Sequence, residues 1–375
     1  MGISASIGFT ISGKAVTSVT ASEKLVQHLH LDAHSGVAVH NPSNMFYLTQ
    51  GYSGEGVVFI SGRRRVIITD FRYTEQAERQ APDFEVVMVD KGMGHNQWLA
   101  RLCQEEGITS LRYEDDTLTV RQFAALQGAV DATVEWTSLG GAPQELRAVK
   151  TEAEAAIMRK AAAITSAAFD VICGKIREGM TEKELQVELD FTMLKLGADG
   201  ISFDTIIASG ENGSLCHAIP GARKLQKGDM ITMDYGAKFD GYCSDMTRTV
   251  ALGTPSDTMR RVYDTVLYAQ QTAQDALAPG KICSDIDKIA RDYIDQQGYA
   301  GRFGHGLGHG VGIDIHENPR LSFSCHEVLV PGMVVTVEPG VYLPGVGGVR
   351  IENTCLITEN GAEALTTAPR HLITL

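Results

Sequence analysis

The chain has 375 residues, more than a single hydrophobic core usually serves, so two domains are expected. Hydrophobic residues make up 43% and charged residues 21%, a balance that excludes a disordered chain. The net charge of -13 argues against a surface for nucleic acid or anionic lipid, because both favour basic residues. A small substrate is favoured instead.

The seven cysteines are scattered, odd in number and never spaced as CxxC, which indicates reduced thiols and no thiolate metal site. The N-terminal stretch lacks a basic region followed by an apolar run, and no later stretch is apolar enough to span a membrane. We therefore expect a cytoplasmic protein. The first twenty or so residues, rich in Ser, Thr and Gly, fit either an edge strand or a loose extension.

The N-terminal part of the chain has an α/β pattern. From about residue 22 to residue 139, short apolar runs alternate with helix-like stretches at 96–106 and 120–130. A Gly-Gly-Ala-Pro segment follows the last run and is typical of a boundary. The predicted domains are therefore residues 1–142 and 143–375.

The rest of the chain repeats one order of elements, in which two helices are followed by strands. The predicted helices of the first copy are 151–177 and 181–197, each opening with a Thr-x-x-Glu capping box. Those of the second copy are 256–280 and 284–298. Two such halves predict a pseudo-symmetric α+β domain, with helices on one side of a curved antiparallel sheet and a site between the halves.

An Asp-Gly pair at 240–241 predicts a two-residue hairpin turn between β-prone runs. With such a turn, Phe239 pairs with Tyr242. Asp234 is then a diagonal neighbour of Asp245 on the same face, about 7 Å away between backbones, so both carboxylates can reach shared cations. From this hairpin alone, solvated acids beside a turn explain the pattern equally well.

A glycine-rich segment, FGHGLGHGVGIDIHENP, carries His305, His309 and His316 within twelve positions. The glycines argue against a helix, and HExxH is absent, so the segment is not that of a zincin. A nucleotide-binding loop is disfavoured because no acceptor acid follows a βα unit. The pattern predicts a backbone that winds tightly around a site.

Two glutamates, Glu338 and Glu352, occur in Val- and Ile-rich strand sequences. A buried carboxylate needs a cation or a proton, and Arg350 can neutralise one of them. Four carboxylates and one imidazole form a hard ligand set with too much negative charge for one zinc ion. The set suits two divalent ions such as Mn²⁺ or Co²⁺ in a hydrolase.

Six strings, MDYG, SDMTRT, HGLGHGVG, HENP, TVEPGVY and GVRIEN, together resemble the M24 family of pita-bread metallopeptidases. That family includes methionine aminopeptidases, Xaa-Pro aminopeptidases and Xaa-Pro dipeptidases (prolidases). The resemblance extends from about residue 151 to the C-terminus. The strings NPSNMFYLTQGYSG and ITDFRYTEQA are similar to the creatinase-type N-terminal domain of the proline-specific members, which implies cleavage at Xaa-Pro.

By position, the resemblance implies five metal ligands: Asp234, Asp245, His309, Glu338 and Glu352. It also implies that Glu338 transfers protons. The catalytic or substrate-orienting histidines that it implies are His217, His305 and His316. Arg350 lies where proline-specific members keep an arginine, which implies a supporting role in substrate binding.

The implied enzyme is a dinuclear exopeptidase that hydrolyses the Xaa-Pro bond of dipeptides, or at the N-terminus of peptides, through a hydroxide bridging two metal ions. Mn²⁺ is the favoured ion, with Co²⁺ or Zn²⁺ as alternatives. The implied substrates are small peptides with proline in second position. The resemblance also implies a homodimer.

Two alternatives have different chemistry. Creatinase shares both domains but is an amidinohydrolase that works without metal, and some pita-bread proteins are inactive binding modules. All five ligand positions here carry a carboxylate or an imidazole, which argues against both. The choice between dipeptidase and aminopeptidase stays open, because it depends on loops at the C-terminal side of the substrate.

Overall fold

The computed structural model describes residues 19–375. The expectation for the first twenty residues therefore lies almost wholly outside the described residues. The chain divides into two compact units, Met1–Ala142 and Pro143–Leu375. Across the described range, no helix is long and apolar enough to cross a membrane.

The first unit is an α/β domain built on one six-stranded sheet. Its helices are α1 (Ala21–His28), α2 (Pro42–Thr49), α3 (Thr74–Gln80), α4 (His95–Glu106) and α5 (Val120–Ala129). Its strands are β1 (Ser35–Val39), β2 (Val57–Ser61), β3 (Arg65–Thr69), β4 (Glu85–Met88), β5 (Ser110–Tyr113) and β6 (Glu135–Ser138). Two of the helices, α4 and α5, match the sequence prediction to within a residue.

The sheet has the order β4-β3-β2-β1-β5-β6. Strands β1 to β3 form an antiparallel meander, and β4, β5 and β6 are added in parallel. The Val- and Ile-rich strands β2 and β3 are buried almost throughout, because apolar residues occupy both of their faces. The predicted apolar runs correspond to β1 to β4, whereas β5 and β6 are less apolar and no such run indicated them.

The second unit is an α+β domain. Its helices are α6 (Ala142–Ala148), which starts at the division between the units, α7 (Glu152–Cys173), α8 (Glu182–Lys195), α9 (Asp257–Asp275) and α10 (Cys283–Ile294). The strands of its first half are β7 (Gly200–Ile201), β8 (Ile206–Ser209), β9 (Met230–Tyr235), β10 (Ala237–Phe239), β11 (Tyr242–Cys243) and β12 (Met246–Ala251). Those of its second half are β13 (Gly308–Gly310), β14 (Glu317–Leu321), β15 (Val334–Val337), β16 (Gly340–Leu343), β17 (Gly347–Arg350), β18 (Asn353–Thr358) and β19 (Gly361–Ala364).

The predicted capping boxes at the starts of α7 and α8 are confirmed. The predicted ends were too late. Helix α7 stops at Cys173 because Gly174, a poor helix residue, follows it, and Ile176 then turns into the core. Helix α9 likewise stops at Asp275, after which Leu277 is buried.

The start of α10 was predicted one residue late, at Ser284. An antiparallel bridge between Ile282 and Val328 precedes the helix and fixes where it begins. Helix α10 ends at Ile294 and continues as a π-helical turn, Asp295–Tyr299. The partner that sets this boundary is distant in sequence, so no local pattern indicates it.

Each half of the second unit has its own core. Helices α7 and α8 pack on β8, β9 and β12, whereas α9 and α10 pack on β14, β15, β17 and β18. Both principal sheets are antiparallel, with the orders β12-β9-β8 and β14-β13-β15-β18-β19. The amide of Glu352 donates to Thr247 O, which joins the halves beside the candidate ligands. The predicted helix-helix-strand order of both halves is confirmed.

Candidate metal centre

The hairpin that carries the two candidate aspartates has the predicted register. Phe239 pairs with Tyr242, and both turn residues have positive φ, 47° at Asp240 and 81° at Gly241. Further along, Asp234 on β9 pairs with Thr247 on β12. Asp245 lies directly before β12, and its side chain lines the same cavity as that of Asp234, which agrees with the predicted proximity of the two.

The other three candidate ligands lie in the second half of the unit. His309 is in the middle of β13, and Glu338 directly follows β15. Glu352 lies in the short break between β17 and β18. The two glutamates are thus at strand ends, not inside strands as their apolar surroundings suggested. At a break in pairing, a side chain can point out of the sheet towards the site.

The structure brings three of these side chains together most closely. Ligand atoms of Asp245, His309 and Glu352 all lie within 4.8 Å of one another, and all three residues are buried. His309 Nε2 is 3.5 Å from Asp245 Oδ2 and 3.3 Å from Glu338 Oε1. Asp234 is close enough to Asp245 to raise the pKa of that carboxyl.

The orientation of His309 leaves a lone pair directed at the carboxylates. Its Nδ1 lies 3.0 Å from Gly310 O, a carbonyl that only accepts, so Nδ1 carries the proton. Nε2 is then an acceptor that faces two further acceptors, on Asp245 and Glu338. This arrangement is repulsive unless a cation or a proton lies between the atoms.

The buried carboxylates of the site also carry more negative charge than the surrounding groups compensate. Burial raises the pKa of Asp245 and of Glu352 well above the usual range, and neighbouring carboxylates raise both further. Asp234 Oδ1 and Glu352 Oε1 are buried and have no hydrogen-bond partner among the described residues. Divalent cations supply the missing charge and the missing ligand bonds, so the donor set fits them.

Glu338 behaves differently from the other acids. Burial alone would raise its pKa, but with a proton between Glu338 and His309 Nε2 the hydrogen bond and the positive charge there, together with the charges of His305 and Arg350, lower the pKa to about 2. The hydroxyl of Thr336 donates to Glu338 Oε1 at 3.3 Å. The pKa of Glu338 is thus shifted in the opposite direction from those of Asp245 and Glu352.

Arg350 pairs with an aspartate of the first half. Its Nη2 donates to Asp234 Oδ2 at 2.6 Å, and its side chain is 3% exposed. The direct ion pair of Arg350 is thus with Asp234 and not with Glu338 or Glu352, although its charge also acts to lower the pKa of both glutamates. Arg350 is the last residue of β17, which contacts both β9 and β12, so its guanidinium reaches the strand that carries Asp234.

A hydrogen-bonded chain connects this arginine to a histidine. Arg350 Nη1 donates to the Tyr342 hydroxyl at 2.9 Å, and that oxygen is 3.0 Å from His305 Nε2. His305 Nδ1 lies 2.8 Å from Gly306 O and so carries the proton, which leaves Nε2 to accept from Tyr342. The Cys216 thiol donates to the same hydroxyl at 3.4 Å.

All the predicted site residues line one cavity of about 560 Å³. His217 is exposed in the loop before β9. His316 is exposed before β14, and its ring packs edge-on against that of His309, with centroids 4.4 Å apart. His305 is partly buried. A cavity of this size suits a small ligand.

Sequence reasoning missed two polar residues of the site. The Thr247 hydroxyl donates to Glu352 Oε2 at 2.7 Å and accepts from Arg350 Nε at 3.1 Å. Tyr342 joins Arg350 to His305. The sequence could have predicted Thr247 as a site residue, because Thr247 lies two residues after Asp245 in a β-prone run and strand alternation favours the same face. Tyr342 carries no such signal.

Comparison with known proteins agrees with this geometry. The model of metallopeptidase family M24 matches residues 156–359, more than half of the chain. The chain belongs to metallopeptidase family M24. The model of the creatinase/prolidase N-terminal domain matches residues 22–149. This M24 chain is therefore an enzyme with a creatinase-type N-terminal domain and a pita-bread catalytic domain, and it requires divalent metal ions.

Its relatives align over nearly the whole chain. The Bacillus subtilis peptidase YqhT is 40% identical over 341 residues, which cover 91% of this M24 chain and 96% of YqhT. The Xaa-Pro dipeptidase of Pyrococcus furiosus is 34% identical over 358 residues, covering 94% and 99% of the two chains.

Solved structures show the same fold. A Xaa-Pro dipeptidase from Bacillus anthracis is 41% identical, with a TM-score of 0.90, and the match covers 95% of this M24 chain and 99% of that one. An X-Pro aminopeptidase from Thermotoga maritima is 35% identical, with a TM-score of 0.87 and coverage of 94% and 100%.

Proposed function

We propose that this M24 peptidase hydrolyses the Xaa-Pro bond of dipeptides or at the N-terminus of short peptides. The observation that carries the proposal is the single cavity that gathers five candidate ligands, three histidines and an arginine. Full-length relatives that are named for cleavage at Xaa-Pro support it. These relatives include both dipeptidases and an aminopeptidase, so the accepted peptide length stays open.

The proposed centre holds two divalent ions, with Mn²⁺ as the favoured ion and Co²⁺ or Zn²⁺ as alternatives. The ligands that we propose are Asp234, Asp245, His309, Glu338 and Glu352. Support comes from the unpartnered carboxylate oxygens, from the acceptor of His309 that faces other acceptors, and from the raised carboxyl pKa values. When bound, the ions supply Lewis-acid activation of water and of the scissile carbonyl.

The side chains of the cavity transfer the proton, stabilise the carbonyl oxygen and orient the peptide. Glu338 accepts the proton that the attacking water loses and passes it to the leaving proline nitrogen, the role that the family resemblance implies for it. His316 donates a hydrogen bond to the carbonyl oxygen as negative charge develops there. His305, whose two ring nitrogens already bond to Gly306 O and to the Tyr342 hydroxyl, lines the cavity beside it. His217 and Arg350 orient the peptide from the cavity wall. Arg350 is already directed by Asp234 and Tyr342.

Three further features are proposed on narrower support. A homodimer is proposed from the resemblance to the family. A cytoplasmic location is proposed from the cysteines, all seven of which are free thiols. A domain boundary between residues 142 and 143 is proposed, and the division into compact units at that position supports it.

The test is hydrolysis of a Xaa-Pro dipeptide beside a Xaa-Pro-Yaa tripeptide by metal-stripped protein reloaded with Mn²⁺, Co²⁺ or Zn²⁺. Xaa-Ala peptides of both lengths are the matched control. Metal-dependent cleavage of the proline peptides alone supports the proposal, and the preferred length then distinguishes a dipeptidase from an aminopeptidase. Equal cleavage of the Xaa-Ala peptides, or none of any peptide, contradicts it.

A further inference from the structure

A buried ionic cluster lies directly behind the loop that carries His316. Arg147 Nη2 donates to Glu317 Oε1, and Lys150 Nζ donates to Glu317 Oε2 at 3.0 Å. Arg147 Nη2 also donates to Asp314 Oδ2 at 2.6 Å. The side chains of Arg147, Lys150 and Glu317 are 3%, 1% and 5% exposed. Two cations and one carboxylate are thus almost wholly removed from water.

Stability alone does not account for such a cluster. Removing charges from water costs several kcal/mol per ion, and apolar residues of similar volume often stabilise a fold as well or better. Burial alone would raise the pKa of Glu317, but Lys150 and Arg147 outweigh it and hold the pKa below its usual value. The cluster therefore keeps a charged carboxylate in a fixed position next to His316.

The fixed carboxylate belongs to the residue after His316. Glu317 Oε1 accepts from Asp314 N at 3.1 Å, so the carboxylate also closes the turn that precedes the histidine. A Cβ at Gly312 would lie 2.3 Å from Glu317 Oε2, which shows how tightly the loop is wrapped around the carboxylate. The His316 ring is exposed and packs on one side against His309. Its direction therefore depends on the backbone that Glu317 holds.

The same carboxylate borders the strand of a candidate ligand. Glu317 is the first residue of β14 and pairs with Gly310, the neighbour of His309. The cluster thus lies beside both histidines, at the end of a small cavity of about 100 Å³ that His316 and Arg147 line together.

We propose that Glu317, held between Arg147 and Lys150, is a positioning residue that sets the direction of the His316 ring for the reaction. This inference rests on the proposed function, since it assigns a use to His316 in peptide cleavage. The inference concerns a cluster outside the metal centre. Arg147 and Lys150 are far from His316 in sequence, and Asp314 lies in the turn before it. Loss of the carboxylate should lower kcat while metal binding is kept.

The experiment is a double-mutant cycle between Glu317→Gln and His316→Ala, measured on Mn²⁺-loaded protein with a Xaa-Pro dipeptide or tripeptide. Alone, Glu317→Gln should lower kcat about 10- to 100-fold, the usual range for a residue that orients another. In the His316→Ala background it should change kcat by less than about twofold, because the ring it directs is gone. Metal content, measured by atomic emission, should be unchanged.

A matched control is Asp229→Asn, which breaks a partly buried ion pair of the same unit, with Arg223 at 2.6 Å. It should lower the melting temperature and leave kcat nearly unchanged in both backgrounds. If Glu317→Gln lowers kcat by the same factor with and without His316, its role is structural and the proposal is overturned. An unchanged kcat for Glu317→Gln in wild-type protein also overturns it.

Glu317→Gln leaves two buried cations poorly compensated and can prevent folding. Lys150→Met is therefore the second variant, because it keeps the Arg147–Glu317 pair and removes one contact to the carboxylate. It should show the same coupling to His316→Ala with a smaller loss of kcat. If Lys150→Met lowers kcat by the same factor with and without His316, the proposal is overturned here too. If wild-type protein cleaves Xaa-Pro peptides but His316→Ala is fully active, the inference fails while the proposed function stands; absence of cleavage by wild-type protein rejects both.

Discussion

Replacement of Thr247 by valine tests how strongly the second half of the metal centre depends on one hydroxyl. Thr247 is fully buried, and its Oγ1 donates to Glu352 Oε2 at 2.7 Å while it accepts from Arg350 Nε at 3.1 Å. Valine has nearly the same shape. Thr247→Val therefore removes two hydrogen bonds with little change in packing.

The expected loss follows from the charge of the partners. A hydrogen bond to a charged group contributes about 1.5–3 kcal/mol. If that contribution is lost from the orientation of Glu352, metal affinity falls about 10- to 100-fold, since each 1.4 kcal/mol is a factor of ten. The assay is calorimetric titration of the metal-stripped variant with Mn²⁺, beside the wild-type protein.

Thr249→Val is the matched control. Thr249 lies two residues further along β12, is 2% exposed, and bonds to Thr232 Oγ1 and Arg350 O, but it touches no candidate ligand. It should lower the free energy of unfolding by about 1 kcal/mol and leave metal affinity within about threefold of wild type. Equal metal affinity in the two variants would refute the reasoning.

Three further predictions follow from the same geometry. Because the folded-state pKa values of Asp245 and Glu352 are raised, the metal-free protein loses stability as pH rises from about 4, so stabilisation by Mn²⁺ in thermal melts should be larger at pH 8 than at pH 5. Tyr342→Phe should lower kcat about tenfold with metal content unchanged, because it disconnects Arg350 from His305. Gly241→Ala, at φ 81°, should cost about 1–2 kcal/mol in urea unfolding, whereas alanine at an exposed helical glycine of α5 should not destabilise.

The parts of the structure that sequence predicted well depend on near neighbours. The capping boxes that open α7 and α8 join residues three apart, and the hairpin register follows from the two-residue turn at 240–241. That register alone places Asp234 and Asp245 on one face. Local chemistry therefore accounts for the placement of two of the five candidate ligands.

The parts that sequence did not predict depend on contacts between distant residues. Arg350 pairs with Asp234 across 116 positions, and Arg147 pairs with Glu317 across 170. Neither of these two pairings follows from the periodicity of a helix or strand, or from a turn in the sequence. The late predicted end of α7 has the same origin, because the burial of Ile176 competes with continuation of the helix. Tertiary packing decides such choices.

The most direct test of the central claim is a crystal structure of the Mn²⁺-loaded protein, with anomalous scattering measured at the manganese edge. Two anomalous peaks about 3.5–4 Å apart, enclosed by Asp234, Asp245, His309, Glu338 and Glu352, are the predicted result. A single peak, peaks elsewhere in the chain, or the absence of any peak in this cavity would contradict the account.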